Sequence, residues 1–495
     1  MVRLNIVIAA QLVIQLTILA SLSTALDSPS QECLPRDSTT AEQCKYQIVQ
    51  SMPEGLDLPD PSGATTVPTH QALIDMANQA KESLSVASFY WWLTAPKKFD
   101  GHPSVEPGRQ LMAAIKAASD RGVRVEVVLD HSGRKDMNNP DDLVALKQFS
   151  QVKFLNMTRL LRAGVVHTKF MIADNKTAYV GSSNFDWRSY TQIKEIGIAL
   201  INCPQLVQDL DKIFRTYKLM ADLKELPSEL SDDFKTNLNM ANPFQLDDIQ
   251  LFMGAAPPAF NAGPNGSYTT GRTDDITGLL HVIDRARHHI DISVMNYSPR
   301  FEFGWPRKYW PRIDDALRRA AIERQVRVRL LFSNWTDTKP LEPVWYRSLN
   351  AIQSRALRGG GIHVKFFRVP AFDEFQKSIP FARVKHDKYM VTERDLYIGT
   401  SNWTPDYFTS TCGVGVVIQP ASVSCGRSNS SSSSSSSVSG GNGTTSRDGP
   451  SSSPAAAVSA AVASAPPTPA VVKAMQAIFE RDFNSQYAHD LDQDP

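Results

Sequence analysis

His167 and Lys169 stand two residues apart in the stretch His167-Thr168-Lys169-Phe170-Met171-Ile172-Ala173-Asp174, and Gly181-Ser182-Ser183-Asn184 begins fourteen residues after the His. The set recurs as His386-Asp387-Lys388-Tyr389-Met390-Val391-Thr392-Glu393, with Gly399-Thr400-Ser401-Asn402 beginning thirteen residues after His386. On an extended strand, residues i and i+2 share a face, so each His and its Lys point the same way. The glycine allows a tight turn; the hydroxyl of Ser182 or Thr400 and the amide of Asn184 or Asn402 follow it. Each block therefore offers an imidazole, a cation and polar donors converging on one point. A pseudo-twofold axis between the blocks would bring both His together.

That constellation suits a phosphodiester. Lys169, Lys388, Asn184 and Asn402 can hold the non-bridging oxygens and stabilise a pentacovalent transition state. One His can attack phosphorus to form a phosphohistidine, and the other can protonate the leaving oxygen and then activate water. No metal is required, because the Lys pair supplies the positive charge. A zinc site is the rival reading. It fails because the Cys lie far from both His in sequence and a Lys sits beside each His. The blocks are not equal: Glu195 lies eleven residues after Asn184, whereas the matching position after Asn402 is Gly413. Glu195 reads either as a carboxylate that orients one His and raises its basicity, or as a surface carboxylate on a strand. His167 is assigned as nucleophile and His386 as acid. Phe89, Tyr90, Trp91 and Tyr297 read mainly as core, with one or two available to stack bases.

The elements that must position these residues also repeat. The first half reads as helix Gln71 to Leu84, strand Ser85 to Trp91, helix Gly108 to Arg121 and strand Val123 to Leu129. The second reads as helix Gly278 to Ile290, strand Asp291 to Tyr297, helix Arg312 to Arg324 and strand Val326 to Phe332. Helical pieces carry apolar residues three and four apart; the strands are short, β-branched and apolar. Alternating strands and helices predict an α/β protein with helices on the sheet faces. The expected organisation is a first half over 44–226, a connecting region over 227–271 and a second half over 272–420. Residues 421–470 form a Ser/Ala/Pro-rich insertion that includes the unbroken Ser run 430–437 and cannot bury enough apolar surface to order itself. Residues 471–495 return as a helix and tail of the second half.

The chain of 495 residues balances 52 Lys and Arg against 51 Asp and Glu. Near-neutrality excludes a uniformly basic nucleic-acid coat, so an anionic substrate must be held by local charge over a few terminal units. Residues 1–25 read as a cleaved secretory signal: Arg3, an apolar run from Leu4 to Leu22, then small residues at Ser23 and Ala25. An uncleaved anchor is the alternative. Either places the bulk of the chain in the secretory pathway. Asn-x-Ser/Thr triplets occur at Asn156, Asn175, Asn265, Asn296, Asn334, Asn402, Asn429 and Asn442, of which Asn156, Asn265, Asn334 and Asn442 are the glycosylation candidates. Cys33, Cys44, Cys203, Cys412 and Cys425 allow two disulfides and one free thiol, with connectivity left open.

The two blocks resemble the paired HKD motifs of the phospholipase D superfamily, in which His167, Lys169 and Asp174, and His386, Lys388 and Glu393, would be the catalytic motif residues. Glu393 stands where the superfamily has Asp and is expected to serve a supporting hydrogen bond. Pro53 to Asp57, Ser88 to Trp91, Asn184 to Ser189, His386 to Arg394 and Tyr487 to Leu491 resemble the endolysosomal branch, phospholipase D types three and four. The resemblance runs from about Cys44 to Leu491. It implies two duplicated α/β/α halves packed face to face with one shared active site. It implies a 5′-to-3′ exonuclease on single-stranded DNA and RNA, active at acidic pH and releasing 3′-phosphonucleotides, in the lysosome or endosome lumen. It also implies homodimers, a link to phospholipid transphosphatidylation, and a Cys44–Cys203 disulfide. Asn334 replaces a further branch Cys, so a carboxy-terminal bridge is expected to be absent. Only Met1 and Val2 precede Arg3, which favours a secreted or soluble lumenal form over the anchored one. A lipid phosphodiesterase would use the same residues, and a catalytically silent lumenal binding protein is the reading from another class.

Overall fold

The computed structural model describes residues 44–132, 137–303, 307–353, 359–421 and 467–491. The leader, Cys33, Cys425, Asn429, Asn442 and nearly all of the expected insertion lie outside them. Among the described residues there are two large mixed sheets. The first runs Val67–Pro68, Lys45–Ser51, Glu195–Ile201, Thr177–Gly181, Phe170–Ala173, Ser83–Ser88, Arg124–Asp130, Gln151–Leu155. The second runs Phe244–Leu246, Ile249–Ala256, Gly413–Pro420, Leu396–Gly399, Lys388–Thr392, His289–Val294, Arg327–Ser333, Gly361–Phe367, Ala488–Asp490. Seven strands follow the same order in both, so the duplication seen in the motifs extends through each sheet.

The crossovers explain the order. Helix Glu106–Asp120 links Ser83–Ser88 to Arg124–Asp130, which pair in parallel; helix Arg312–Ile322 links His289–Val294 to Arg327–Ser333 in the same way. Strands in this setting are covered on both faces and read as continuous apolar runs. Each helix turns a stripe inward: Leu111, Ile115 and Ala118 in one, Ile313, Leu317 and Ala320 in the other. Those stripes build separate cores on the outer faces of the two sheets. A third core lies between the sheets and joins Phe170, Ile172, Val180 and Ile196 to Tyr389, Val391, Ile398 and Val414. Two helices fill that middle layer, Pro204–Asp222 through Leu210 and Phe214, and Ala470–Phe483 through Met475 and Phe479. The return helix expected from Val471 is therefore present, and it belongs to the centre of the molecule.

Two expectations need correction. Residues 227–271, read as a connector, contain Phe244–Leu246 and Ile249–Ala256, both strands of the second sheet; Ile249–Ala256 pairs along its whole length with Gly413–Pro420. It is the counterpart of Lys45–Ser51 and was legible as a buried apolar run. The helices expected over Gln71 to Leu84 and Gly278 to Ile290 end earlier, at Gln79 and Arg285. Leu84 and Ile290 are apolar because they already belong to the strands that follow.

Candidate active site

Both motifs sit where a chain segment leaves one half to touch the other. His167 lies just before strand Phe170–Ala173, and His386 just before Lys388–Thr392. His167 N–H donates to the Cys412 carbonyl at 3.0 Å, and His386 N–H donates to the Lys194 carbonyl at 2.8 Å. Cys412 and Lys194 are repeat-equivalent, directly before Gly413 and Glu195. The side chains repeat the exchange: His167 Nδ1 lies 3.0 Å from the Thr400 carbonyl, and the Ser182 carbonyl faces the His386 ring. Such reciprocity is what a pseudo-twofold axis between the halves requires.

The exchange is broken at one point. His386 Nδ1 lies 2.8 Å from Glu195 Oε2, and Glu195 is fully buried, with Ser189 Oγ donating to its Oε1 at 3.1 Å. Glu195 is therefore not a surface carboxylate, and the His it orients belongs to the other sheet. His167 has no such partner because Gly413 carries no side chain. A Cβ there would lie 2.3 Å from Ser401 Oγ, which donates to the buried Asp275 at 3.3 Å. The second half thus carries its buried carboxylate on the helix at Asp275, directed at Ser401 and Tyr397, and not at an imidazole.

His167, His386, Asn184 and Asn402 line one cavity of about 710 Å³. Asn184 Oδ1 and Asn402 Oδ1 are buried without a protein partner. A half-turn of either amide exchanges Oδ1 for an N–H donor, so each can meet an anionic oxygen. Lys169 and Lys388 are fully buried behind the His, each Nζ donating to its own motif's His carbonyl, Lys388 at 2.6 Å. An ammonium has three donors, which leaves two on each Lys. Ser182 does not reach the cavity: its Oγ donates to the Ile196 carbonyl at 3.1 Å and accepts from Ile196 N–H at 3.0 Å, fastening the turn to the next strand. Asp174 and Glu393 lie at the opposite ends of their strands from the His. Asp174 accepts from the N–H groups of Lys81, Glu82 and Ser83 at 2.8 to 2.9 Å, and Glu393 from those of Arg287, His288 and His289 at 2.8 to 3.3 Å.

Burial suppresses charge throughout the site. It pushes both imidazoles well below their usual range, helped by the neighbouring Lys cations. It also lowers Lys169 strongly and brings Lys388 to about 7. The same burial raises the Glu195 carboxyl well up, opposed by Lys388. Glu195 and His386 lie within hydrogen-bond distance at 2.8 Å, and the direction common to both is toward neutral forms. An anion in the cavity would favour the charged forms of both His and Lys.

Several lining residues had no motif to announce them. Tyr407 packs edge-on against His167, with centroids 4.7 Å apart, and accepts from Asn402 Nδ2 at 3.3 Å. Asn296 was noticed only as a glycosylation triplet; it is 8% exposed, lines the cavity and donates to Glu342 at 3.1 Å. It occupies the repeat position of Tyr90, which is the signal that could have found it. Asn402 is likewise too buried for a glycan, whereas Asn265 is exposed and Asn156 caps helix Met157–Leu161 through its side chain. Phe89 lies over the site, 5.2 Å from His167, while Trp91 and Tyr297 are core residues. Cys44 and Cys203 form a disulfide with Cα atoms 4.6 Å apart, and Cys412 is a buried free thiol.

Comparison with known proteins agrees with this geometry. Residues 62–372 match the family described as PLD3/4, PLD-like domain. The chain is 39% identical over 413 residues to the 5′-3′ exonuclease PLD3 of Xenopus laevis, covering 81% of this chain and 80% of that one. It is 36% identical over 464 residues to the human 5′-3′ exonuclease PLD3, covering 92% and 83%. It is 38% identical over 395 residues to the human 5′-3′ exonuclease PLD4, covering 79% and 76%. With paired motifs on two equivalent sheets and these relatives spanning most of its length, the chain belongs to the PLD3/4 family of phospholipase D-like proteins.

Proposed function

We propose that the chain is a phosphodiesterase acting as a 5′-to-3′ exonuclease on single-stranded DNA or RNA through a phosphohistidine. The observation that carries the chemistry is the pair of imidazoles facing one cavity from two sheets, each with Nδ1 engaged and Nε2 left to react. The nucleic-acid substrate is supported by the activity named for the relatives.

In this reading His167 holds its Nδ1 proton against the Thr400 carbonyl, so Nε2 is an unprotonated nucleophile. It attacks phosphorus, forming a P–N bond as the P–O5′ bond to the downstream nucleotide breaks. His386, with Glu195 behind it, gives its Nε2 proton to the departing O5′. Lys169, Lys388, Asn184 and Asn402 hold the equatorial oxygens. Water then attacks phosphorus, its proton goes to His386, and the P–N electron pair returns to His167, releasing a nucleoside 3′-phosphate. Asp174 and Glu393 are positioning residues in this scheme. The Cys44–Cys203 disulfide supports a secreted or lumenal location, because such bonds persist in oxidising compartments.

The test uses the purified chain, a 3′-labelled, 5′-hydroxyl single-stranded oligonucleotide, acidic buffer and a metal chelator. The expected result is stepwise shortening from the 5′ end, undiminished by the chelator and lost in His167→Ala and His386→Ala. Absence of shortening, together with release of headgroup from phospholipid vesicles in the presence of an alcohol, would assign the site to lipid. Label trapped on His386 would reverse the two His roles.

A further inference from the structure

A second cavity of about 790 Å³ adjoins the first, and no Asp or Glu lines it. Trp335 lines both. The wall between them is shared residue by residue: Asp337, Pro380 and Phe381 face the catalytic cavity, while Thr336, Ile379 and Ala382 face the second. Four basic side chains line the second cavity: Arg368, Lys377, Arg383 and His489. Arg383 is 8% exposed, yet its guanidinium meets only neutral oxygens, the carbonyls of Pro370 and Glu54 and the Gln192 amide. Among the described residues no carboxylate forms an ion pair with it. Burial lowers it to about 10, which leaves it cationic at any working pH. Glu54 and Asp373 act on it only through their fields and form no contact pair, so a buried cation beside a cavity lined by no acid can take an anion from outside.

The surface between the cavities is aromatic. Phe381 is 64% exposed and holds a left-handed backbone at φ 55°, a conformation that costs energy for a bulky residue. Phe372, on the second cavity, is 52% exposed and lies 5.7 Å from the Arg383 guanidinium. Exposed rings alternating with cations are the pattern by which proteins hold single strands without reading sequence. Chain connectivity gives the direction. The wall segment runs from Ile379 through Arg383 directly into His386. The acid must face the departing O5′, so the strand 3′ of the scissile bond leaves on the side of His386, toward this wall.

Resting on the exonuclease reading above, we propose that the second cavity is the track for the nucleotides immediately 3′ of the scissile phosphate. Bases stack at Trp335, Phe381 and Phe372, and backbone phosphates lie against Arg383, Arg368 and Lys377. The catalytic cavity then holds the 5′-terminal nucleotide, and the second cavity rewards substrates longer than a dinucleotide.

The experiment compares kcat/KM for a dinucleotide and a single-stranded dodecamer in the full chain and in Lys377→Glu and Arg368→Gln. Lys377 is exposed, with only a surface ion pair to Glu374 at 2.7 Å, so its substitution does not disturb folding; melting temperature is recorded for both variants. The wild type is expected to favour the dodecamer, and the dodecamer-to-dinucleotide ratio is expected to fall about three- to ten-fold in each variant, with a shallower salt dependence for the dodecamer. A ratio near unity in the wild type, or one unmoved in folded variants, overturns the track. Failure of the wild type to cut either substrate overturns the exonuclease reading instead.

Discussion

His167 and His386 occupy equivalent positions, yet one faces a backbone carbonyl and the other a carboxylate. In the proposed scheme Glu195, once ionised, favours the His386 imidazolium against the burial that lowers it, and His386 is the group that gives up a proton. Glu195→Gln keeps a hydrogen-bonding side chain and removes that preference. Single-turnover cleavage is expected to slow by about 10²- to 10⁴-fold, with KM changed little. A phosphodiester with a nitrophenolate leaving group, which needs no acid, should recover most of the loss; equal losses on both substrates would make Glu195 merely structural. The pH profile follows from the same residues. Lys388 is brought down to about 7, so its charge is lost as pH rises through that value. His386 must also be protonated in the free enzyme, and burial makes that harder as pH rises. His167 must be neutral, and its lowered pKa keeps it so into acid. The first two effects lower kcat/KM as pH rises and His167 does not oppose them, so kcat/KM is well below its maximum above about 7. A rise in kcat/KM through neutrality would contradict the assignment.

At the scale of elements, each motif runs the length of one strand and ties its two ends to different tasks. The His and Lys end meets the other half. The carboxylate end closes the turn into the neighbouring strand, Ser83–Ser88 for Asp174 and His289–Val294 for Glu393. Those turns are where the helices stop short of their sequence-predicted ends. N–H groups freed from a helix need acceptors, and a carboxylate taking three of them is a strong one. Burial alone would raise Asp174, but the N–H donors at Ser83, Glu82 and Lys81 hold it below the usual carboxylate value. The stability this contributes is present at neutral pH and is lost as pH falls through that lowered pKa. Asp174→Asn is expected to cost about 1–3 kcal/mol in urea unfolding at neutral pH. Its kcat is expected to stay within about two-fold of wild type, since charge near the scissile bond is unchanged. A large fall in kcat in a stably folded variant would give Asp174 a chemical role.

At the scale of the whole molecule, the two halves are held together under His386 by buried charge. Lys194 from the first half donates to Asp387 Oδ2 at 2.9 Å and forms an ion pair with Asp482 Oδ2 at 2.7 Å, and all three side chains are fully buried. Asp482 belongs to helix Ala470–Phe483, so three distant segments meet at one ammonium. The corresponding place under His167 has Cys412 and Thr168 where Lys194 and Asp387 stand, with the buried Asp130 accepting from Val166 N–H at 2.7 Å. Removing one partner of a buried pair leaves an uncompensated charge, and Asp482→Ala is expected to cost about 3–5 kcal/mol by chemical denaturation. A change below about 1 kcal/mol would mean that Asp387 alone suffices for Lys194.

Much of the site is legible along the chain because it is written twice. His167 with Lys169 and His386 with Lys388 have a spacing that any extended segment turns to one face, and the α/β class follows from short apolar runs alternating with amphipathic helices. The strand Ile249–Ala256 was equally readable and was hidden only by the Pro-rich stretches on either side. Other features belong to tertiary structure alone. Sequence distance does not say that Glu195 crosses to the other half, that Ser182 spends its hydroxyl on Ile196, or that Tyr407 and Asn296 reach the cavity. Nor does it say that Arg383 is left without a carboxylate beside a second cavity. Local spacing settles which way a side chain points from its own strand, but which group it meets depends on how two sheets close on each other. That closure is set by how the two sheets pack on each other and on helix Ala470–Phe483 from beyond the insertion, and no local pattern encodes it.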